Sequence, residues 1–195
     1  MKVLLVQGTW GGDDPWWVPR VGDFAKAVEA AGHEVINGRP FNWEGGLGGI
    51  VPFTSADLLI WKGAGRYLRE YLDPRRALSP YVPEETAIIA HSHGRQVVKY
   101  ACHLGLRVQK VILVSGPVRH DVDERTFGAR ANMGSLVCIN GGKRDRMQIF
   151  GGLFDGHWGI HRQDPEATIY EQFPDADHGS FLTDPRHFDY VLRYL

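Results

Sequence analysis

The sequence predicts an α/β fold with a mostly parallel central sheet of about six strands and helices on both faces, a three-layer sandwich. Short apolar runs alternate with amphipathic stretches along the chain, and parallel strands need crossover connections of this kind. The apolar runs are also unbroken, which is typical of strands buried on both faces. A chain of 195 residues is expected to form one domain, residues 1–195.

Residues that start and end helices divide the chain into elements. Gly32 and Gly105 follow two helical stretches, at positions where glycine commonly ends a helix. Ser55 is a suitable N-cap for a helix that ends before Pro74, and Asp184 with the proline after it predicts the start of a terminal helix. The predicted strands are 2–7, 34–37, 86–90, 108–115, 136–140 and 168–173, and the predicted helices are 24–31, 55–72, 96–104 and one from 184 onward.

Composition excludes several classes of partner. Lys+Arg 22 against Asp+Glu 23 leaves a net charge of -1, so no electrostatic argument favours nucleic acid or an anionic membrane. No run is long enough for a transmembrane span, and the opening apolar run is too short for a signal peptide. A cytoplasmic protein is therefore expected.

Cys102 and Cys138 lie in apolar stretches and are expected to be buried, reduced thiols.

Neither a metal site nor a cofactor is predicted. The pairs His91-x-His93 and His157-x-x-x-His161 have spacings found in metal sites, but no cysteine or carboxylate accompanies them at ligand spacing. The glycines of 8–12 belong neither to a dinucleotide-binding fingerprint nor to a phosphate-binding loop.

The most specific motif surrounds Ser92. The run Ile-Ile-Ala-His-Ser-His-Gly places the serine after an apolar strand and before a helix, with Ala90 two residues before it and Gly94 two residues after it. A tight strand-to-helix turn needs small residues at those two positions, because larger side chains would collide with the neighbouring strand and helix. Such a turn lifts the serine hydroxyl out of the sheet. Ser92 is therefore the predicted nucleophile.

This segment resembles the nucleophile elbow of the α/β-hydrolase family, Gly-x-Ser-x-Gly, with Ala90 in place of the first glycine. The resemblance implies a catalytic histidine after the last strand, where His178 stands, with His187 as a weaker alternative. It also implies an acid after the preceding strand. Asp145 fits that position best, and Asp155 and Asp121 remain open.

The resemblance also implies an oxyanion hole. Its donors would be the backbone N–H of His93, directly after the nucleophile, and that of Thr9 or Trp10 in the loop after the first strand. A strand order that sets the first strand beside the Ser92 strand would bring these donors together. The fold and its chain order of serine, acid and histidine imply no cofactor.

Several aromatic residues lie in polar or glycine-rich stretches, where such side chains often line a groove. These predicted substrate-binding residues are Trp10, Trp16, Trp17, Trp43 and Trp158.

The function that follows is hydrolysis of a carboxylic ester, small or lipid-like, through a Ser-His-Asp triad. Acyl transfer, amide or thioester hydrolysis, and a disabled hydrolase scaffold that only binds remain alternatives. The sequence predicts no oligomeric state.

Overall fold

The computed structural model describes residues 1–8, 15–37, 57–73, 75, 81–118, 128–142, 145–147 and 163–195. Six strands form one sheet in the order β2-β1-β3-β4-β5-β6, and every pair is parallel. The strands are β1 (Lys2–Val6), β2 (Glu34–Val35), β3 (Thr86–His91), β4 (Val108–Val114), β5 (Met133–Gly141) and β6 (Ile169–Phe173). The α-helices described are α1 (Asp23–Ala30), α2 (Asp57–Tyr71), α3 (Gly94–His103), α4 (Ser180–Thr183) and α5 (Phe188–Leu192).

The sheet separates two hydrophobic cores, because successive strand side chains point to opposite faces. Leu4 and Val6 of β1 join the core beneath α2 and α3, whereas Val3 and Leu5 join the core beneath α1, α4 and α5. All four side chains are 0% exposed. The three-layer α/β architecture predicted from the unbroken apolar runs is therefore confirmed.

The strand order determines where a functional site can form. β1 lies between β2 and β3, so the chain leaves β1 toward one edge of the sheet and continues from β3 toward the other. Such a reversal opens a crevice at the carboxyl ends of the two central strands, where open α/β sheets bind their ligands. Gln7 and Gly8, which follow β1, meet the turn after β3 there.

Some boundaries differ from the sequence predictions. β2 has only two residues, because the side chain of Asn37 takes over its pairing: it accepts from Leu5 N at 2.9 Å and donates to Leu5 O at 2.7 Å. β5 starts at Met133, three residues before the predicted 136.

The carboxyl-terminal region also differs from its predicted single helix. Asp184 does cap the turn that follows, accepting from Arg186 N, but that turn is a 3-10 helix, Pro185–His187, which leads into α5. The short helix α4 precedes it.

The structure also shows the state of the two cysteines and the character of the described helices. Cys102 and Cys138 are buried and unbridged, as predicted, and burial raises the pKa of the two thiols to about 12 and about 11. Within the ranges given above, no helix has the length and apolar character needed to cross a membrane.

Candidate active site

Ser92 occupies a strained turn between β3 and α3. Its φ is 51°, in the left-handed region that a residue with a side chain enters at a cost of about 1–2 kcal/mol. A backbone hydrogen bond from Ser92 N to Val114 O, 2.9 Å long, ties the turn to β4. Strain of this kind is typical of positions where the fold presents a reactive group.

Two glycines allow this turn to lie against the end of β1. A Cβ on Gly94 would lie 2.7 Å from Gln7 O, and a Cβ on Gly8 would lie 2.5 Å from Ser92 Cβ. Neither approach is possible for a larger residue without a backbone shift. At the other small position, Ala90 is 0% exposed, so the fold accommodates the alanine that replaces the usual glycine.

His178 lies in the loop after β6, with one ring nitrogen facing Ser92. Nε2 is 3.0 Å from Ser92 Oγ, and Nδ1 is 3.2 Å from Asp145 Oδ2. If Nδ1 carries the proton and donates to the carboxylate, Nε2 accepts from the Ser92 hydroxyl. The structure thus brings together the three residues predicted as nucleophile, base and acid, from positions 86 and 33 residues apart in the chain.

The surroundings of Asp145 explain how its carboxylate reaches His178. Asp145 follows β5 and is 1% exposed. A Cβ on Gly141 would lie 2.7 Å from Ala176 O, and one on Gly142 would overlap Pro174. These two glycines therefore let the loop after β5 pack directly against the loop that carries His178. Asp145 Oδ1 also accepts from Met147 N at 3.0 Å, which orients the carboxylate.

The predicted oxyanion donors lie partly outside the described residues. His93 precedes the first residue of α3, and its ring stacks on Trp61 of α2, with centroids 5.0 Å apart and planes at 26°. Thr9 and Trp10 are not described. Gly8 touches the elbow, however, so the loop after β1 starts directly beside Ser92.

Most of the alternative acids and predicted aromatic residues lie outside the described part of the chain, whereas the alternative histidine, His187, is described. Asp121, Asp155, Trp10, Trp43 and Trp158 lie outside the described residues, as do His157 and His161. His187 Nε2 lies 3.5 Å from Asp175 Oδ2, and the His187 ring stacks on the Tyr190 ring.

Trp16 and Trp17 were predicted to line a substrate groove, but their side chains lie in the core instead. They are 4% and 3% exposed, because the 3-10 turn Pro15–Trp17 directs both rings into the core beneath α1. Trp16 meets Phe24 edge to face, with ring centroids 6.0 Å apart.

A buried ionic network joins α3 to the segment before β6. Arg95 and Lys99, 2% and 1% exposed, contact Asp164 Oδ2 at 2.5 and 2.8 Å, and Lys99 also reaches Glu166 at 2.9 Å. Burial alone would raise the pKa of the Asp164 carboxyl, but the two cations outweigh burial and lower it to about 2. The network ties the helix that follows Ser92 to the segment before β6.

Sequence reasoning missed three features of this region. The patterns around Trp61 and Asp164 are those of ordinary helix and loop residues, and no local signal marks either one. His91 belonged to the elbow motif, but its contact with His178 depends on a loop 87 residues away. Among the described residues, no group of three or more His, Cys, Asp or Glu side chains could hold a metal ion.

Comparisons with known proteins bear on the fold. No family model and no curated protein matches the sequence. Among solved structures, esterase PE8 aligns with a TM-score of 0.57 and 17% identity, covering 99% of this chain and 90% of its own. S-formylglutathione hydrolase (FrmB) from Staphylococcus aureus aligns with a TM-score of 0.43 and 14% identity, over 99% of this chain and 78% of its own. The similarity to esterase PE8, together with the six-stranded parallel sheet, shows that the chain has the α/β-hydrolase fold.

Proposed function

We propose that this chain is a serine hydrolase that cleaves carboxylic esters through an acyl-enzyme intermediate. The observation that carries the proposal is the continuous line of contacts from Ser92 Oγ through the His178 ring to Asp145, at 3.0 and 3.2 Å. A serine hydroxyl is a weak nucleophile unless a base can take its proton and an acid orients that base. All three groups lie within hydrogen-bond reach, which argues against a disabled scaffold.

The geometry supports a definite order of proton transfers. Ser92 Oγ attacks the ester carbonyl carbon while its proton passes to His178 Nε2. The imidazolium that forms is stabilised by the buried carboxylate of Asp145. When the tetrahedral intermediate collapses, the C–O bond to the alcohol breaks and His178 returns its proton to the departing oxygen. Water then attacks the acyl carbon while its proton passes to His178. The bond between that carbon and Ser92 Oγ breaks, His178 returns the proton to Oγ, and the acid is released.

The negative oxygen of the intermediate needs donors already in place. The His93 backbone N–H, at the start of α3, is the first proposed donor, and the helix N-terminus adds a favourable dipole. Thr9 or Trp10 is proposed as the second, since their loop begins against Ser92 at Gly8. Removing one such donor typically lowers turnover by about 100- to 1000-fold.

Esters are the first substrate class to test, because one solved structure that shares this fold is named esterase PE8. Amides, thioesters and an alcohol acceptor in place of water remain the alternatives on the same triad. They can be separated directly. A panel of matched acetyl ester, thioester and anilide substrates ranks the leaving groups, and added alcohol tests whether acyl transfer outruns hydrolysis.

The decisive measurement is covalent labelling with a fluorophosphonate, followed by peptide mass spectrometry to locate the adduct. We expect one adduct, at Ser92. Ser92→Ala should remove it and lower ester turnover by at least about 10⁴-fold. His178→Ala should slow labelling by a similar factor, because the serine then has no base.

The chain offers a control histidine, His103, and a control serine, Ser115, for the labelling experiment. His103 lies at the exposed end of α3, so His103→Ala should label like the parent protein. Ser115 has a positive φ of 49° like Ser92, yet it is 0% exposed and should carry no adduct. A folded protein that takes no label at Ser92 would disprove the proposed function.

A further inference from the structure

We infer that His91 is a positioning residue that holds His178 in place for the reaction, an inference that rests on the proposed function. His91 Nε2 lies 2.9 Å from the main-chain oxygen of His178. A carbonyl oxygen can only accept a hydrogen bond, so Nε2 carries a proton and donates it. The strand that ends at the nucleophile is thereby bonded directly to the loop that carries the base.

The His91 ring has little room to move. It contacts both the Trp16 ring, with centroids 6.2 Å apart, and the His178 ring, with centroids 4.9 Å apart. Its Nδ1 lies 3.3 Å from where a Cβ on Gly8 would stand. His91 is also the last residue of β3 and is paired in register with Val114. The donor therefore has a well-defined position relative to the sheet.

The bond leaves the chemistry of His178 undisturbed. It reaches the backbone oxygen, so both ring nitrogens of His178 remain available for Ser92 and Asp145. His91 thus restrains the loop without competing for the proton that moves.

Other restraints also act on this loop: Gly142 N donates to Ala176 O at 3.3 Å, and an internal turn shapes the loop itself. Asp177 Oδ1 accepts from Gly179 N and Ser180 N at 3.1 and 2.9 Å. This turn shapes the loop but does not connect it to β3, whereas the bond from His91 does. Losing that connection should let the His178 ring drift from Ser92, and a misplacement of about 1 Å can cost about 100-fold in rate.

The test compares His91→Gln with His91→Leu. The glutamine amide can place a donor close to the position of Nε2, whereas leucine fills the space and donates nothing. Both variants remove the second imidazole beside His178, so any electrostatic change is common to them. A difference between the two variants therefore isolates the hydrogen bond.

The readout is the fluorophosphonate reaction, resolved into its maximal rate and its half-saturating concentration. For His91→Leu we expect the maximal rate to fall about 10- to 50-fold, with half-saturation unchanged within about twofold and full labelling at the end point. For His91→Gln we expect a rate within about threefold of the parent. A merely structural role would instead lower the labelled fraction at the end point.

Three results would overturn the inference, and they differ from one another. Equal rates for the parent and His91→Leu would show that the bond does not position the base. A glutamine variant as slow as the leucine variant would show that the donor is not what matters. A parent protein that takes no label at Ser92 would remove the proposed function, and this inference with it.

Discussion

At the scale of single residues, the site depends on one strained backbone position and on two glycines that leave no room for a side chain. Ser92 holds a φ of 51°, and the strain is tolerated because the surrounding backbone leaves the turn no alternative. Gly8 and Gly94 permit the close approach of β1 to the elbow. In each case the closest atoms belong to a neighbouring backbone or to a Cβ, and these cannot rotate away.

Gly8→Ala should therefore damage both stability and reactivity. Its Cβ would come within 2.5 Å of Ser92 Cβ and 3.0 Å of His91 O, so the elbow or the loop after β1 must move. We expect the free energy of unfolding to fall by about 1–3 kcal/mol and Ser92 labelling to slow by at least about tenfold. Urea denaturation and labelling kinetics measure the two effects. Normal values for both would mean that the approach at Gly8 is not required.

At the scale of elements, α2 packs closely on α3 and contacts His93, the residue that follows Ser92. Gly65 lets the two helices approach, since a Cβ there would lie 2.9 Å from Val97 O and 3.1 Å from Ala101 N. One turn earlier on α2, Trp61 stacks on His93. The same helix contact thus reaches the residue proposed to donate to the oxyanion.

Two glycines of α2 provide a matched pair of alanine variants. Gly63 has nothing within 4 Å of its Cβ position, so Gly63→Ala should raise the free energy of unfolding by up to about 1 kcal/mol through helix propensity alone. Gly65→Ala makes the same change in the same helix but forces α2 away from α3. We expect it to lower the free energy of unfolding by about 1–3 kcal/mol. Equal effects in thermal or urea denaturation would contradict the close contact.

At the scale of the whole molecule, the network of Arg95, Lys99, Asp164 and Glu166 connects distant parts of the chain. It joins α3 to the segment before β6, about 67 residues further along. Since Arg95, Lys99 and Asp164 are at most 2% exposed, each cation depends on the carboxylate that faces it. The network therefore fixes the segment before β6 against α3.

Asp164→Asn should therefore be strongly destabilising near neutral pH. Removing the charge leaves Arg95 and Lys99 buried without their shared partner, which typically costs about 3–5 kcal/mol. The folded pKa of about 2 lies below the unfolded value of about 4, so this contribution is complete above pH 4 and is lost as the pH falls toward 2. We expect the unfolding free energies of the parent and the variant to converge over that window.

A surface carboxylate serves as the control for Asp164. Asp23 pairs with Lys26 at 3.3 Å, with both side chains more than half exposed, so Asp23→Asn should change stability by less than about 0.5 kcal/mol. An Asp164→Asn protein no less stable than this control would show that the buried network adds nothing. Replacing Arg95, Lys99 and Asp164 together by apolar residues should recover much of the loss.

Much of the fold was predictable because its signals are local. A short, unbroken apolar run bounded by turn residues predicts a buried parallel strand, and small residues around Ser92 predict a tight turn from their size. Trp16 and Trp17 were not predictable in the same way. A tryptophan in a glycine-rich loop can face solvent or core, and only the turn that carries it decides which.

The sequence by itself determined the order of the elements and the small residues of the elbow at Ser92, since each depends on neighbours a few residues away. The choice of His178 came from the resemblance to the α/β-hydrolase family, through order along the chain. The tertiary structure alone decided that Asp145 faces His178, that His91 bonds to the backbone of His178, and that Arg95 and Lys99 share Asp164. These contacts form between segments 33 to 87 residues apart. Their geometry depends on how the loops pack, and packing is a property of the assembled sheet rather than of any local segment.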